Sequence, residues 1–469
     1  MTFLSNIRFS LRILKKHWKL TAIAVSSLAI GMAAGTTGFS MFNAVLLRPP
    51  AVPAPGQLVS VYESTPQEKF NNVSYEDYKY YRENNHVFSD VLAFPYSIAL
   101  TPITVERRTR PGLVNSVSDN YFSVLGVRPI LGRTFTRGDD DKKSALAVLS
   151  YPYWKWLGGD PGILGKAVEI GRVQLTIVGV MPRDFAGTIF SDLPDLWYPL
   201  SVDTSGNQAA QDWRVDRNSH TLALIGRLKP EITRQQALAD LQTLSRQIAA
   251  AYPKTNKDRL AQAADTKMIP PDSVGDATTI AVILLAIVAL VLFAACSNVA
   301  NLLLALTGAR RHEILVRAAL GATRGRLIWQ ILFDSCLIAV GGGVTGYLLA
   351  VLGMRQLLQF KPYIPGLGLL PLTVDFRPDA TVLAISIVLI FLTGLATGFV
   401  PGLYASTPSL AGALSGEIAV GGTRKGRVRN GLVAAQVAVC TLVLIGMGLC
   451  SQSLRNLRPP ILGLPRAIC

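Results

Sequence analysis

Five stretches of this chain run for 20 or more consecutive positions without a charged residue: 20–47, 277–309, 335–354, 380–416 and 430–454. Roughly 20 helical residues cross about 30 Å of hydrocarbon, and inside lipid a helix satisfies its own backbone hydrogen bonds. The pattern predicts an α-helical membrane protein with about five transmembrane helices. Only 16% of the residues are charged, against about 25% in ordinary soluble domains. The first run follows a basic flank, as a secretory signal would. Its apolar length far exceeds the roughly 7–15 residues of a signal core, so it reads as an uncleaved anchor.

The formal net charge of +16 suggests nucleic-acid binding until it is located. Residues 48–276 hold 26 Lys/Arg against 25 Asp/Glu, whereas segments 1–19, 310–326 and 417–429 together hold 14 Lys/Arg and only Glu313 and Glu417 as acids. Basic residues concentrated beside spans mark the cytoplasmic side. The charge is thereby assigned to topology, and no nucleic-acid partner is expected. Residues 1–19 read as a cytoplasmic amphipathic helix or a plain charged flank: Phe3, Leu4, Ile7, Leu11 and Leu14 share one side, and Arg8, Arg12, Lys15 and Lys16 the other. Residues 48–276 form one large extracytoplasmic domain inserted between helices 1 and 2. Residues 310–326 are a cytoplasmic loop, 417–429 a cytoplasmic linker, and 455–469 a short tail. Of the five cysteines, Cys296, Cys336, Cys440 and Cys450 lie in or beside spans and Cys469 ends the sequence, so the outer domain has none to pair.

The inserted domain reads as α/β. Strand-like runs are 58–63, 145–149, 168–170, 175–180 and 222–228, separated in places by turn signals such as "GGDPG" (158–162). Helical patterns cover 74–84, with "SYED" as its cap, and 231–251, where Ala237, Leu241, Leu244 and Ile248 share a face. That helix and the alanine-rich 260–264 suggest a second subdomain leading back to the membrane. Enzyme chemistry is not in evidence. "GGDPGILGK" (158–166) lacks phosphate-loop spacing and has Ala167 where Ser or Thr is required, so it reads as an ordinary turn. The four histidines are scattered, without metal-ligand spacing. The cluster Tyr75, Tyr78, Tyr80 and Tyr81 reads as packing.

Asp334 is the one acid in a hydrophobic span, about 12 Å along the helix from Arg326. A structural hydrogen bond, or a pair with Arg324 or Arg326, is the favoured reading over a proton relay. Gly342 and Gly346 share a GxxxG spacing that lets helix backbones approach closely. Between spans, "HEILVRAALGATRGRL" (312–327) places Ile314, Leu315, Ala318 and Ala319 on one stripe and Glu313 four residues before Arg317. Gly321 fits a left-handed helix end and Thr323 a cap for the next helix. The stretch is expected to be a short helix, a tight turn and then a span.

The segment "EILVRAALGATRGRLIWQILFDSCLIAVGGGVTGYLLA" (313–350) resembles the FtsX-type permease domain of ABC transporter systems. "YFSVLGVRPILGRTFTRGDD" (121–140), "VLSYPYWKWLGGDPGILGKAVEIGRVQLTIVGVMPRDF" (148–185), "DLWYPL" (195–200) and "GRLKPEITRQQALADL" (226–241) resemble the MacB-like periplasmic core. The N-terminal segment looks most like the large duplicated permeases of that family. The resemblance implies a periplasmic core at 48–276, an FtsX-like permease domain at 277–416, and truncation after the first span of a second half. It implies a bacterial inner-membrane permease, not an enzyme, with no cofactor of its own. ATP and magnesium are expected only on a cytoplasmic ABC ATPase partner, whose motion the spans relay to the periplasmic domain. Carried over, Arg310, Arg311, Glu313, Arg317, Leu320, Gly321 and Arg324 are the expected ATPase-coupling residues. Efflux of antibiotic-like or peptide substrates, a periplasmic adaptor or hydrolase as partner, and a dimer or pseudo-dimer are further expectations. An envelope scaffold or signalling permease, or an inactive remnant, is the alternative.

Overall fold

The computed structural model describes residues 10, 12–43, 47, 52–95, 98–140, 144–188, 194–202, 213–266, 271–309, 316, 323–359, 363–364, 368–369, 379–405 and 422–456. The chain divides into a helical unit (Met1–Asn43, Thr279–Leu357 and Phe376–Cys469) and an α/β unit (Ala44–Thr278 and Leu358–Asp375). The helical unit opens with α1 (Trp18–Phe42).

The α/β unit contains two sheets. The first has four antiparallel strands in the order β11 (Leu260–Asp265), β1 (Leu58–Ser64), β10 (Leu222–Leu228), β2 (Phe88–Pro95). The second is a ring. Strands β3 (Ala99–Val105), β4 (Arg108–Val117), β6 (Leu146–Leu149), β7 (Ala167–Ile170), β8 (Val173–Val180) and β9 (Leu196–Pro199) pair in the order β8-β6-β9-β4-β3-β7, and β7 closes back on β8. The two-residue β5 (Leu131–Gly132) is added beside β8. Ring closure removes the edges that an open sheet of this size would expose.

Helices α2 (Tyr75–Asn84) and α5 (Arg234–Ala251) cover one face of the four-stranded sheet, joining Val59, Val61, Val91 and Leu224 to Tyr78, Tyr81, Leu241 and Ile248 in one core. Its other face supplies Leu58, Leu92, Phe94 and Ile225 to a core shared with the barrel and with α3 (Tyr121–Leu125). Burial on both faces explains why the first six residues of β1 are all buried, with no in–out alternation. The expected helix 231–251 begins at Arg234, because Thr233 and Gln236 form a reciprocal capping box. Ser74 caps α2 by accepting from the Asp77 amide. The subdomain expected from 231–251 and 260–264 also takes β1 and β2 from the other end of the insertion, and 260–264 is itself strand. Two small helices complete the unit: α4 (Tyr151–Trp156) and α6 (Pro253–Asn256).

The helical unit continues with α7 (Pro271–Ala309), α8 (Arg324–Gln359), α9 (Ala380–Ala405) and α10 (Gly422–Asn456). Among the described residues α1, α7, α8 and α9 are long and apolar enough to cross a membrane. Within α10 the apolar stretch Val433–Gly446 is shorter. Of the first run α1 covers 20–42, and of the fourth α9 covers 380–405. The run expected at 335–354 belongs to a helix that already starts at Arg324, so Arg324, Arg326 and Asp334 share one rod.

Candidate functional site

The helical unit is assembled on α1. In lipid, helices gain little from burying apolar surface, so close backbone contact and interhelical hydrogen bonds decide their packing. Gly342 and Gly346 of α8 are pressed against α1. A Cβ at 342 would lie 2.6 Å from Leu28 Cβ, and one at 346 would lie 2.6 Å from the Ala29 carbonyl oxygen. The GxxxG pair thus meets a helix of the same chain. α9 uses the same spacing: Gly394, Gly398 and Gly402 face Cys336, Ser335 and Ile328 of α8. On its other side α1 turns Gly31 to Ala295 of α7, where a Cβ would sit 3.1 Å away.

Polar side chains fasten these seams. Asn298 of α7 donates to Ser27 of α1 at 3.2 Å, and Thr36 of α1 meets Ser386 of α9 at 3.3 Å. Just past the end of α1, the Asn43 side-chain amide donates to Asp379 Oδ2 at 2.8 Å. The other carboxylate oxygen of Asp379 accepts the Val382 amide at 3.0 Å, so one residue caps α9 and ties it to α1. Asp334 lies on α8 and is 7% exposed, whereas Arg324 and Arg326 are exposed.

Of the expected coupling residues, Arg324 is the first residue of α8. Thr323 precedes it, its carbonyl accepting from Arg326 at 3.0 Å and Leu327 at 3.3 Å, in keeping with a cap position. Arg310, Arg311, Glu313, Arg317, Leu320 and Gly321 lie outside the described residues, as do the stripe Ile314, Leu315, Ala318 and Ala319 and the turn after it. The structure therefore brings Gly342 and Gly346 onto α1 but places none of the other coupling residues. The α9 glycines, Asn43, Thr36 and Asp379 were not singled out from sequence. The GxxxGxxxG spacing of α9 was a usable signal for its three glycines.

Two buried polar centres organise the outer domain. Arg82 of α2 binds Asp90 of β2 at 3.1 Å and Asp119 at 2.9 Å. Beside it Asn120 donates to the Val91 carbonyl at 2.8 Å, and Ser118 Oγ accepts the Ala93 amide at 2.9 Å. "SDN" (118–120) thereby clips the barrel to the four-stranded sheet. The second centre holds Glu63, Asp77, Arg217, His220, Asn256 and Arg259. Arg217 pairs with Asp77, Asn256 donates to Asp77 at 2.8 Å, and Arg259 lies 3.3 Å from Glu63. Burial, reinforced by the Asp77 charge, pushes the Glu63 carboxyl up to about 8. Burial, with Arg259 close by, pulls His220 down to about 4. Among the described residues no group of three or more His, Cys, Asp or Glu could hold a metal ion.

Apolar spans joined to a large α/β insertion define a membrane protein with a large extracytoplasmic domain. The MacB-like periplasmic core domain family matches residues 21–244, and the FtsX-like permease C-terminal family matches residues 285–410. The chain belongs to the MacB/FtsX-type permeases of ABC transporter systems. It is 25% identical over 280 residues to the macrolide export ATP-binding/permease protein MacB of Neisseria meningitidis serogroup A, covering 59% of this chain and 40% of that protein. The chain thus spans two fifths of the length of the MacB proteins it matches. It is 23% identical over 360 residues to the ABC transporter permease YknZ of Bacillus subtilis, covering 74% of this chain and 85% of that one. Among solved structures, the periplasmic region of MacB from Actinobacillus actinomycetemcomitans aligns with a TM-score of 0.34 at 14% identity, over 49% of this chain and 94% of that one.

Proposed function

We propose that this chain is a permease subunit of the bacterial inner membrane that relays motion from a separate cytoplasmic ATPase to its periplasmic domain, for efflux of antibiotic-like or peptide substrates. The observation that carries this reading is the α1-centred assembly. In sequence α1 is the helix that precedes the outer domain. Glycine seams and side-chain hydrogen bonds hold it to α7, α8 and α9, so a displacement of α8 is shared with α1. Tight seams of this kind suit a lever better than a pore, because they leave backbone against backbone where a solute would pass. Membership in an ABC permease family implies the ATPase. The MacB relatives, named for macrolide export, favour efflux.

The test is reconstitution of the full chain with a candidate ATPase, comparing wild type with Arg317→Glu. The reading expects ATPase binding and stimulation to fall about tenfold, as for loss of one charge-assisted contact. Unchanged binding and stimulation would reduce 310–326 to a topogenic loop. Binding of a periplasmic hydrolase, with no efflux, would favour the scaffold reading.

A further inference from the structure

The turn between β3 and β4 is Glu106–Arg107, with φ of +47° and +68°, and Val105 pairs with Arg108 across it. Two-residue hairpin turns of this shape put both central residues in the left-handed region, which is why Asn-Gly is their usual sequence. Here both seats hold side chains that disfavour them. The turn is held in place by a Thr104–Thr109 hydroxyl pair at 2.9 Å and by Lys166, 2.7 Å from Glu106. Arg107 and Arg108 are exposed, and among the described residues neither has an ion-pair partner.

Two residues further along β4, Arg110 packs against the stacked rings of Tyr153 and Trp156, 4.5 Å from each centroid, with Asp195 on its guanidinium. Trp156 is 41% exposed. Lys155, also exposed, sits 4.6 Å over Trp154. The loop "GGDPGILGK", an ordinary turn by sequence, braces this face. The Asp160 carbonyl accepts from Trp154 Nε1 at 2.9 Å, and the Asp160 carboxylate lies 3.7 Å from Lys166.

We propose that this face of the barrel, built from Arg107, Arg108, Arg110, Lys155 and Trp156, is a docking surface for an acidic segment of a periplasmic protein. Trp, Tyr and Arg dominate binding hot spots because they combine large rigid area with planar donors. The Arg110 guanidinium, paired with Asp195 and packed on the two stacked rings, holds Trp156 in place, so the indole loses little freedom when a partner arrives. Among the described residues Arg107, Arg108 and Lys155 have no carboxylate partner, while Lys166 faces both Glu106 and Asp160. The face is therefore cationic around an exposed indole, and its complement carries carboxylates flanking an apolar side chain. Asn-Gly would reverse the chain here at lower backbone cost. Diffuse attraction to anionic lipid would not require an exposed indole set against a held guanidinium.

The inference rests on the expectation, drawn from the family resemblance, of a periplasmic adaptor or hydrolase as partner. Its test needs no ATPase, so its failure leaves the coupling reading standing. The probe is a fluorescent ten-residue peptide alternating glutamate and leucine, titrated onto the full chain in neutral-lipid nanodiscs. Arg107→Glu/Arg108→Glu is expected to weaken binding roughly tenfold, the equivalent of ~1.4 kcal/mol, and Trp156→Ala to weaken it at least threefold. Arg172→Glu/Arg183→Glu, the same charge change at exposed residues elsewhere on the domain, should change it less than twofold. Equal losses in the two double variants would overturn the proposal, since the probe would then read net charge alone. So would peptide binding that survives the turn variant while binding of phosphatidylglycerol vesicles is lost. If Arg107→Glu/Arg108→Glu does not fold, Arg107→Gln/Arg108→Gln carries the same comparison. As an independent check on the turn, Glu106→Asn/Arg107→Gly should raise the melting midpoint and still weaken the peptide.

Discussion

Gly346→Ala adds one methyl group at the tightest point of the α1–α8 seam. Its carbon would stand 2.6 Å from the Ala29 carbonyl oxygen, 2.7 Å from Met32 Cβ and 3.1 Å from the Ala33 nitrogen. Non-bonded carbon contacts settle near 3.5–4.0 Å, and none of these atoms can rotate away. The two helices must therefore part by about 1 Å, loosening the dispersion contacts along the seam. Overpacking of this kind typically costs about 1–3 kcal/mol. Taking ~2 kcal/mol, with 2–4 °C per kcal/mol for a unit of roughly 150–250 residues, the apparent melting midpoint should fall by about 4–8 °C. The assay is thermal unfolding of the full chain in detergent, followed by intrinsic fluorescence. Gly353→Ala on the same helix is the matched control, because a Cβ there meets nothing within 4 Å and alanine is the better helix former. Equal midpoints for the two variants would refute the claim that backbone approach, rather than lipid-facing packing, makes this seam.

The charge centre around Glu63 makes a pH prediction. Glu63 is raised to about 8: above the unfolded carboxylate range the unfolded chain sheds a proton that the folded chain keeps, so stability falls with rising pH until about 8. His220 is lowered to about 4 and acts oppositely, costing stability as pH falls from about 6.5 to 4. Above pH 6.5 only the glutamate slope remains, so denaturant melts should show up to about 2 kcal/mol lost between pH 6.5 and 8. Glu63→Gln should flatten that limb, and an unchanged slope would exclude Glu63 as its source. At the clip between barrel and sheet, Arg82→Ala strands the buried Asp119 and should destabilise the outer domain by about 3–5 kcal/mol. Arg82→Ala/Asp119→Asn should recover part of that loss, which a double-mutant cycle by thermal melting would measure. Asp379→Ala removes both the α9 cap and the Asn43 bond and should cost about 1–2 kcal/mol. Asn43→Ala alone, which spares the cap, should cost less in the same assay.

What could be read from sequence follows the range of the interaction that sets each feature. The spans are local: a run of uncharged residues needs no partner to be recognised, and α2 announces its own start through Ser74, whereas the Thr233 cap that starts α5 at Arg234 was passed over. Gly342 and Gly346 could be read as a close-packing pair, but not that α1 is what they pack against, because the contact joins residues more than 300 positions apart. Strands β2, β4 and β11 escaped for a related reason. Arg108, Arg110 and Pro111 interrupt the pattern of β4, and β11 is "LAQAAD", so the neighbouring ladder, rather than intrinsic preference, makes them strands. The buried charges are the extreme case. Asp77 and Arg217 are 140 residues apart, and Glu63 and Arg259 are 196 apart. Each alone reads as a solvated surface charge. Only the fold makes them a desolvated set whose members shift each other's protonation. The same limit applies to α1: its sequence marks it as an anchor, and the contacts that make it the centre of the helical unit are all supplied by helices encoded far downstream.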